Sequence, residues 1–284
     1  MPRGSRANPP VLKRLGQHFL MDQVVLGAIA NAIDPAPADV VVEIGAGRGA
    51  LTDLLSRLAN GTQPVIAIEL DRALAAKLIE RYVDVPNVTV VESDVLELDV
   101  AHIAKSSFVV AGNVPYYITT PILFHVLRPP FPRRAVFLVQ REVADRMVAA
   151  PGSKTYGALS VTIQAMSDAE IIRYVPATAF KPPPKVESAV VRITPRESGL
   201  IETREVDPFR VFVQGAFGMR RKQMVNVLRA VGRVAPAEAV TILQGLGIDP
   251  MARPETLSPV QFVALMRAAR RGDTDVQTQD DMHR

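Results

Sequence analysis

The sequence predicts an α/β protein in which a doubly wound, mostly parallel sheet is followed by a small helical domain. Through the first two thirds of the chain, short runs rich in β-branched residues alternate with segments that have helical spacing. This alternation is typical of a parallel sheet covered by helices. After Pro195 the strand-like runs stop and helical patterns follow.

Six segments are predicted to be strands. They are residues 40–44, 65–69, 88–92, 108–111, 135–140 and 186–193. Between the first two, four leucines form an apolar stripe at helical spacing, so residues 51–59 are expected to form a helix. Strand, helix and strand together make one βαβ unit.

The last third of the chain is predicted to be helical. Helices are expected over 209–217, 224–231 and 237–245, and Ser258 followed by Pro259 is typical of the cap and first turn of a helix that runs to Arg271. A charged segment near residues 195–207 separates the two regions. It gives a first domain of residues 1–197 and a second of residues 198–284, with a disordered tail expected from about residue 273.

The composition excludes several classes of chemistry. The 284 residues include no cysteine, so disulfides, thiolate metal sites and a cysteine nucleophile are excluded, and four scattered histidines predict no metal site. No apolar run approaches the roughly 18 residues needed to cross a bilayer, and the first residues lack the apolar core of a signal peptide. We therefore expect a cytoplasmic protein with no membrane partner.

The basic residues are clustered, although the net charge is only +4. One cluster, Arg220, Arg221 and Lys222, adjoins an apolar helix of the second domain. Its position favours contacts with the phosphates of a nucleic acid. The alternative is an ordinary solvated helix face.

A glycine-rich segment gives the first chemical signal. The predicted strand at 40–44 runs into Gly45, Gly47 and Gly49, where the backbone can turn sharply and approach a bound nucleoside without a Cβ in the way. Glu69 ends the next strand, where a carboxylate can accept hydrogen bonds from ribose hydroxyls, and Asp94 follows the third. A tight strand-to-helix turn would explain the glycines alone, but it does not explain the two carboxylates.

Both NAD and S-adenosylmethionine contain an adenosine that is held at this edge of a sheet. The spacing Gly45-x-Gly47-x-Gly49 departs from the dinucleotide pattern, in which a third glycine comes three residues after the second. S-adenosylmethionine is therefore favoured, and a hydride-transfer enzyme is the second alternative.

The fourth strand ends in Asn113-Val-Pro-Tyr116, the most informative tetrapeptide of the chain. An exocyclic adenine amine is a poor nucleophile because its lone pair is delocalised into the ring. The Asn113 amide oxygen and the Val114 carbonyl can each accept one N6 hydrogen, Pro115 stiffens the turn, and Tyr116 can stack on an extruded base. A polar β-turn is the alternative interpretation. The fold and the tetrapeptide together predict an adenine-N6 methyltransferase.

With these motifs, the chain resembles the 16S ribosomal RNA adenine dimethyltransferases, whose resistance-conferring relatives modify 23S RNA. The resemblance covers roughly residues 13 to 270. The matching segments, in order, are residues 15–20, 45–49, 113–116, 140–146, 180–190, 217–226 and 247–257.

The resemblance implies a Rossmann-like catalytic domain and a set of site residues. The residues that would line the S-adenosylmethionine pocket are His18, Leu20, Gly45, Gly47, Glu69, Asp94 and Asn113. Phe180 would hold the target base opposite Tyr116, although from residue type alone core packing is the better interpretation of Phe180. Two positions differ from common family forms, His18 where asparagine often stands and Val114 where leucine or isoleucine is usual.

The resemblance also implies a substrate. It predicts N6,N6-dimethyladenosine on two adjacent adenosines in the hairpin loop near the 3′ end of 16S ribosomal RNA, made by a monomer on a pre-30S particle. Three alternatives stay open: a 23S methyltransferase that confers antibiotic resistance, a non-catalytic RNA-binding assembly factor of the same fold, and a DNA adenine methyltransferase.

Overall fold

The computed structural model describes residues 18–196 and 199–281. The strands are β1 (Phe19–Leu20), β2 (Val40–Ile44), β3 (Val65–Glu69), β4 (Val88–Glu92), β5 (Phe108–Gly112), β6 (Arg134–Gln140), β7 (Ser167–Val175), β8 (Phe180–Lys181) and β9 (Ser188–Pro195). The helices are α1 (Gln23–Ile33), α2 (Ala50–Leu55), α3 (Arg72–Tyr82), α4 (Val100–Ala104), α5 (Thr119–Val126), α6 (Arg141–Met147), α7 (Ala158–Met166), α8 (Val206–Gly218), α9 (Met224–Val231), α10 (Pro236–Gly245) and α11 (Pro259–Asp281).

The main sheet has seven strands in the order β4-β3-β2-β5-β6-β9-β7. Strands β2 to β6 pair in parallel, and β9 is antiparallel to β6. The chain proceeds outward from β2 through β3 to β4 and then returns to the other side of β2 for β5. The order of the strands therefore reverses between β2 and β5, and ligands bind at the carboxyl ends of strands at such a point.

The predicted fold class is confirmed, with local differences. All six predicted strands are present, and the last begins at Ser188 rather than at residue 186. The predicted helix over 51–59 ends at Leu55, and a short 3₁₀ turn follows at Leu58–Gly61. Sequence reasoning missed β7 and the two-residue strands β1 and β8.

Valines and other apolar residues of the central strands form the core of the sheet. Val41, Val109 and Val136, one from each of β2, β5 and β6, are fully buried and pack with the apolar face of α1. Asp22 caps that helix by accepting hydrogen bonds from the backbone of Val24 at 2.8 Å and Val25 at 3.2 Å. Because parallel strands are covered on both faces, a continuous apolar run is what such a sheet requires.

The described residues form two compact units. The first extends to Ala144 and includes Glu170–Pro195, and the second consists of Asp145–Ala169 and the residues from Arg196 onwards. The sequence predicts a first domain that includes every residue up to 197, whereas in the structure the segment that contains α7 lies in the second unit. Because α7 packs against α8 and α11, it belongs to the helical unit, and no change of composition marks that segment in the sequence.

The helical unit is held by aromatic packing and by a capped last helix. Phe217 stacks on Phe262 with ring centroids 5.7 Å apart, and the Tyr156 hydroxyl donates to the Leu257 carbonyl at 2.8 Å. The predicted cap of α11 is confirmed, since the Gln261 amide donates to Ser258 Oγ at 3.3 Å and the Ser258 amide donates to Gln261 Oε1 at 2.9 Å.

Helix α11 runs to Asp281, past residue 273, where the sequence predicts a disordered tail. No proline or glycine follows Gly272 to end a helix. Residues 282–284 of that predicted tail lie outside the described residues. In the described ranges, no helix has both the length and the apolar content that a membrane span requires.

Candidate active site

A cavity opens at the carboxyl ends of β2, β3 and β5, the point where the strand order reverses. Its lining, all within the first unit, includes every residue predicted to bind the cofactor or hold the target base. These residues are His18, Leu20, Gly45, Gly47, Glu69, Asp94, Asn113, Val114, Pro115, Tyr116 and Phe180. The fold therefore brings together segments that are more than 160 positions apart in the sequence.

The glycine segment has the backbone that the sequence predicts. Gly45, Gly47 and Gly49 have φ values of +75°, +59° and +80°, in the left-handed region that favours glycine. A Cβ on Gly45 would lie 3.3 Å from the Asn113 carbonyl oxygen, and a Cβ on Gly49 would lie 2.7 Å from the Tyr82 hydroxyl. A side chain would therefore be strained by the backbone at all three positions, and at Gly49 it would also clash with the Tyr82 hydroxyl.

Glu69 ties the glycine segment to the end of β3. Its Oε2 accepts the Gly47 amide at 2.7 Å and its Oε1 accepts the Asp71 amide at 2.8 Å. Burial raises the pKa of this carboxyl, although the backbone donors oppose the shift. Each oxygen of a carboxylate has a second lone pair, so Glu69 can also accept a hydrogen bond from a ligand.

Asp94 stands at the end of the third parallel strand. Its Oδ1 accepts the Leu96 amide at 2.9 Å, which starts a 3₁₀ turn, and the Ser93 amide beside it donates to the Glu69 carbonyl at 3.1 Å. The second oxygen of Asp94 is not needed for that turn. Glu69 and Asp94 are therefore neighbouring acceptors on one side of the cavity.

Glu43 is a buried acid beneath the glycine segment. Burial raises its pKa to about 8, while the Thr52 hydroxyl, which donates to Glu43 Oε2 at 2.6 Å, opposes the shift. Near neutral pH the group is thus mainly a neutral carboxylic acid. This hydrogen bond joins β2 to α2, and the glycine segment lies between them in the sequence.

A network at the end of α3 holds the outer side of the same segment. The Arg81 guanidinium donates to the Arg48 carbonyl at 3.0 Å and forms an ion pair with Asp53. The Tyr82 hydroxyl lies 2.7 Å from Asp53 Oδ1 and 3.1 Å from the Gly49 carbonyl. These contacts fix two carbonyls of the glycine segment from outside the cavity.

The Asn113-Val-Pro-Tyr116 segment leaves β5 as a tight turn. The Ile118 amide donates to the Pro115 carbonyl at 3.1 Å, and the Thr119 hydroxyl donates to the same carbonyl at 3.2 Å. Among the described residues, no group hydrogen-bonds to the Asn113 side chain or donates to the Val114 carbonyl. Two acceptors thus remain available at the end of β5.

Tyr116 is oriented by a buried hydroxyl. Its phenolic oxygen lies 2.6 Å from Ser188 Oγ at the start of β9. Burial raises the pKa of Tyr116 above its usual value, so the hydroxyl stays protonated, although the Ser188 contact opposes the shift. The ring is also stacked on His18, with centroids 6.2 Å apart and planes inclined by 21°.

The short strands β1 and β8 bring two distant segments to the cavity. Leu20 pairs with Phe180, and the Met21 amide donates to the Ala179 carbonyl at 2.8 Å. Phe180 is 4% exposed and packs in the hydrophobic core. It also lines the cavity. His18 Nδ1 lies 2.9 Å from the Pro182 carbonyl oxygen, a contact that orients its ring.

Phe19, Arg48 and Tyr117 are among the cavity residues that sequence reasoning missed. The Arg48 guanidinium lies over the Phe19 ring at 4.2 Å, and that ring covers Gly47. The only available signals were their positions, because each directly adjoins a residue that the motifs single out. Ser188, which orients Tyr116, lies within the matching segment 180–190, but nothing in that segment indicates its contact with Tyr116.

The predicted RNA-binding cluster lies in the helical unit, after α8. Arg220, Arg221 and Lys222 are all exposed. Arg220 is also 3.8 Å from a carboxylate oxygen of Glu255 and 3.4 Å from the Lys154 carbonyl. No group of His, Asp or Glu in the described ranges is suited to hold a metal ion.

Comparison with known proteins agrees with this geometry. Residues 11–269 match the family described as Ribosomal RNA adenine dimethylase. A protein of Xylella fastidiosa named Ribosomal RNA small subunit methyltransferase A is 40% identical over 269 residues, which are 92% of this chain and 97% of that one. One of the same name from Acinetobacter baylyi is 43% identical over 256 residues, 89% of this chain and 90% of that one.

Two solved structures are also similar over 89% of this chain. A dimethyladenosine transferase from Plasmodium falciparum has a TM-score of 0.78, 25% identity and 98% of its length covered. The 23S rRNA methyltransferase ErmE has a TM-score of 0.68, 26% identity and 99% of its length covered. The chain therefore belongs to the ribosomal RNA adenine dimethylase family and is an S-adenosylmethionine-dependent methyltransferase.

Proposed function

We propose that this protein transfers methyl groups from S-adenosylmethionine to N6 of two adjacent adenosines in the 3′-terminal hairpin loop of 16S ribosomal RNA, giving N6,N6-dimethyladenosine. The observation that carries the proposal is the single cavity that joins the glycine segment to the Asn113-Val-Pro-Tyr116 turn. The relatives named Ribosomal RNA small subunit methyltransferase A support the choice of the small subunit.

The residues of the cavity fit S-adenosylmethionine. The glycine segment offers backbone without side chains where a nucleoside must approach closely, and Glu69 keeps acceptors for ribose hydroxyls at the end of β3. Asp94 and Asn113 would hold the polar edges, and Leu20 and His18 would close the cavity from β1. The chemistry that S-adenosylmethionine supplies when bound is a methyl group on a positively charged sulfur.

The residues of the turn would hold the target amine. The Asn113 side-chain oxygen and the Val114 carbonyl would accept the two N6 hydrogens, which orients the nitrogen and favours localisation of its lone pair. Tyr116 would stack on one face of the base and Phe180 would contact the other. Among the described lining residues, this arrangement needs none as a dedicated general base, because positioning and electrostatics carry the rate.

A second transfer to the same nitrogen is compatible with this arrangement. After the first transfer the positively charged nitrogen would release one of its two protons to solvent, so the neutral methylated nitrogen keeps one hydrogen. Rotation about the bond to the ring would present that hydrogen to the same acceptors. An unpaired loop adenosine suits the cavity because its extrusion costs only stacking, and no base pair is broken.

The exposed cluster Arg220-Arg-Lys222 would contact RNA phosphates. The proposal also includes a partly assembled small subunit as the substrate particle, a monomeric enzyme and a cytoplasmic location.

Nucleoside analysis tests the proposal directly. Purified protein and isotope-labelled S-adenosylmethionine would be incubated with unmethylated 16S RNA, 23S RNA and duplex DNA, and the products would be digested and mapped by mass spectrometry. We expect labelled N6,N6-dimethyladenosine at two adjacent positions of 16S RNA. Product in 23S RNA would support the resistance-type alternative, and binding without product would support a non-catalytic assembly factor.

A further inference from the structure

Tyr117 presents its ring to solvent at the rim of the cavity. It is 65% exposed and lines the same cavity as Asn113 and Tyr116. In the described part of the chain, only one other aromatic residue is comparably exposed, Tyr174, and the Arg141 guanidinium lies over its ring at 4.9 Å. No described ring or cation covers Tyr117. An uncovered aromatic ring beside a proposed nucleotide site can stack on a base.

The backbone that carries Tyr117 is fixed. Tyr116, Tyr117 and Ile118 form one 3₁₀ turn, which is held by the Ile118 amide on the Pro115 carbonyl and by the Thr119 amide on the Tyr116 carbonyl. Successive side chains of a 3₁₀ turn point about 120° apart. Tyr116 is anchored to Ser188 at the cavity, so its neighbour is directed away from that anchor. A ring on a fixed backbone loses little conformational entropy when it binds.

We propose that Tyr117 is a second base-stacking site, which holds the nucleotide next to the adenosine being methylated. This inference rests on the proposed function. Two aromatic rings on consecutive residues match two bases on consecutive nucleotides, one extruded toward Tyr116 and one at the rim. Because the two proposed target adenosines are adjacent, each serves in turn as the neighbour of the other.

Stacking on an aromatic ring tolerates every base, because each has a π-face. Tyr117 therefore detects the presence of a neighbouring base and not its identity. A neighbour that is already dimethylated keeps its ring and still stacks. The site thus remains usable for the second adenosine after the first has been modified.

The test uses hairpin RNAs with two adjacent loop adenosines, in which the neighbour of the target is adenosine, uridine or an abasic residue. For the wild type we expect the abasic neighbour to raise the KM for RNA about tenfold, and uridine to change it little. Tyr117→Ala is expected to show the raised KM with intact RNA and no further response to the abasic residue. Tyr117→Phe is expected to have the wild-type KM and the wild-type response to the abasic residue, because the ring is retained.

A binding measurement accompanies the kinetics. 2-Aminopurine at the neighbouring position reports stacking through its fluorescence, and its quenching is expected with the wild type and Tyr117→Phe but not with Tyr117→Ala. Tyr174→Ala is the matched control, an exposed tyrosine of the same unit that does not line the cavity. It should behave as the wild type in both assays.

The outcomes separate the two proposals. If Tyr117→Ala keeps the wild-type KM, or keeps its sensitivity to the abasic neighbour, the stacking site is wrong while the proposed function stands. If the wild type neither binds nor methylates the RNA, the proposed function fails and the stacking site fails with it.

Discussion

At the scale of single residues, the Asn113 side chain is expected to serve methyl transfer and to contribute little to the stability of the fold. The side chain is half-buried at the end of β5, and no described group hydrogen-bonds to it. Asn113→Ala should therefore reduce methyl transfer by at least about 100-fold, the scale of losing a donor or acceptor that positions the reacting atoms. Thermal unfolding by circular dichroism should be nearly unchanged. Near wild-type methylation by this variant would show that another group holds the amine.

Glu69 differs from Asn113, because it already accepts two backbone hydrogen bonds. Glu69→Ala should weaken S-adenosylmethionine binding and also lower the free energy of unfolding by about 1–3 kcal/mol, since two partly buried donors lose their acceptor. Glu69→Gln keeps an acceptor for one of them and should be more stable than the alanine variant. Calorimetry with S-adenosylmethionine and filter binding with RNA would separate the effects. A loss of RNA affinity with unchanged cofactor affinity would contradict the assignment.

Glu43 predicts a pH dependence of stability. Its pKa rises from 4.5 to about 8 on folding because the group is buried. Above pH 4.5 the unfolded chain loses this proton while the folded protein keeps it, so this group destabilises the fold progressively up to about pH 8. Glu43→Gln should therefore be more stable than the wild type at pH 8, with a difference that shrinks toward pH 4.5. Denaturant titrations across that pH range would measure the free energy of unfolding of both proteins. An equal change of this free energy with pH in the two proteins would contradict the prediction.

At the scale of elements, α3 supports the glycine segment from outside the cavity. Asp53 forms an ion pair with Arg81 and accepts a hydrogen bond from the Tyr82 hydroxyl. Arg81 also contacts the Arg48 carbonyl, and Tyr82 contacts the Gly49 carbonyl. Because the network does not touch the cavity, its loss should act through the shape of the segment.

Asp53→Ala should thus raise the KM for S-adenosylmethionine several-fold and leave the KM for RNA unchanged, because only the glycine segment loses support. Glu97→Ala, which changes an exposed acid that does not itself line the cavity, is a suitable control. Steady-state kinetics with each substrate varied in turn would measure both constants. Equal changes in the two KM values would indicate general unfolding instead of a local effect.

At the scale of the whole molecule, the sequence predicts the buried parallel strands best. Strands β2, β3 and β4 match their predicted ranges, because continuous apolar runs bounded by turns leave few alternatives. Strand β7 was missed because it is an edge strand with alternating charges. Glu170 pairs with Arg192, and Asp168 pairs with Arg196. Charged side chains protect an edge strand against pairing with another strand. The same charges interrupt the apolar pattern by which a strand is recognised in a sequence.

The site residues, too, are predictable only where a local pattern marks them. The motifs identify Gly45, Glu69 and Asn113 because each ends a predicted strand. Phe19 reaches the cavity, and Ser188 reaches the Tyr116 hydroxyl, through pairing of segments that are distant in sequence, namely β1 with β8 and β6 with β9. Local patterns carry no information on such pairs, so the roles of these two side chains follow only from the structure. Leu20 and Phe180, on the same paired strands, are predicted through the family resemblance alone.

The last prediction concerns the exposed basic cluster of the helical unit. Arg220 is engaged by Glu255, whereas Arg221 and Lys222 are exposed and have no partner among the described side chains. Reversing the charge of Arg221 and Lys222 together should weaken RNA binding and reduce the slope of log affinity against log salt by about 2, because two fewer counterions are released. Reversal of Arg57 and Arg72, two exposed arginines of the first unit, is the control with equal change in net charge. Binding to protein-free 16S RNA and to pre-30S particles would be measured over a range of salt concentrations, and S-adenosylmethionine affinity should stay constant throughout. An equal loss of slope in both variants would mean that net charge alone governs RNA binding, and unchanged slopes would mean that the cluster is ordinary solvated surface after α8.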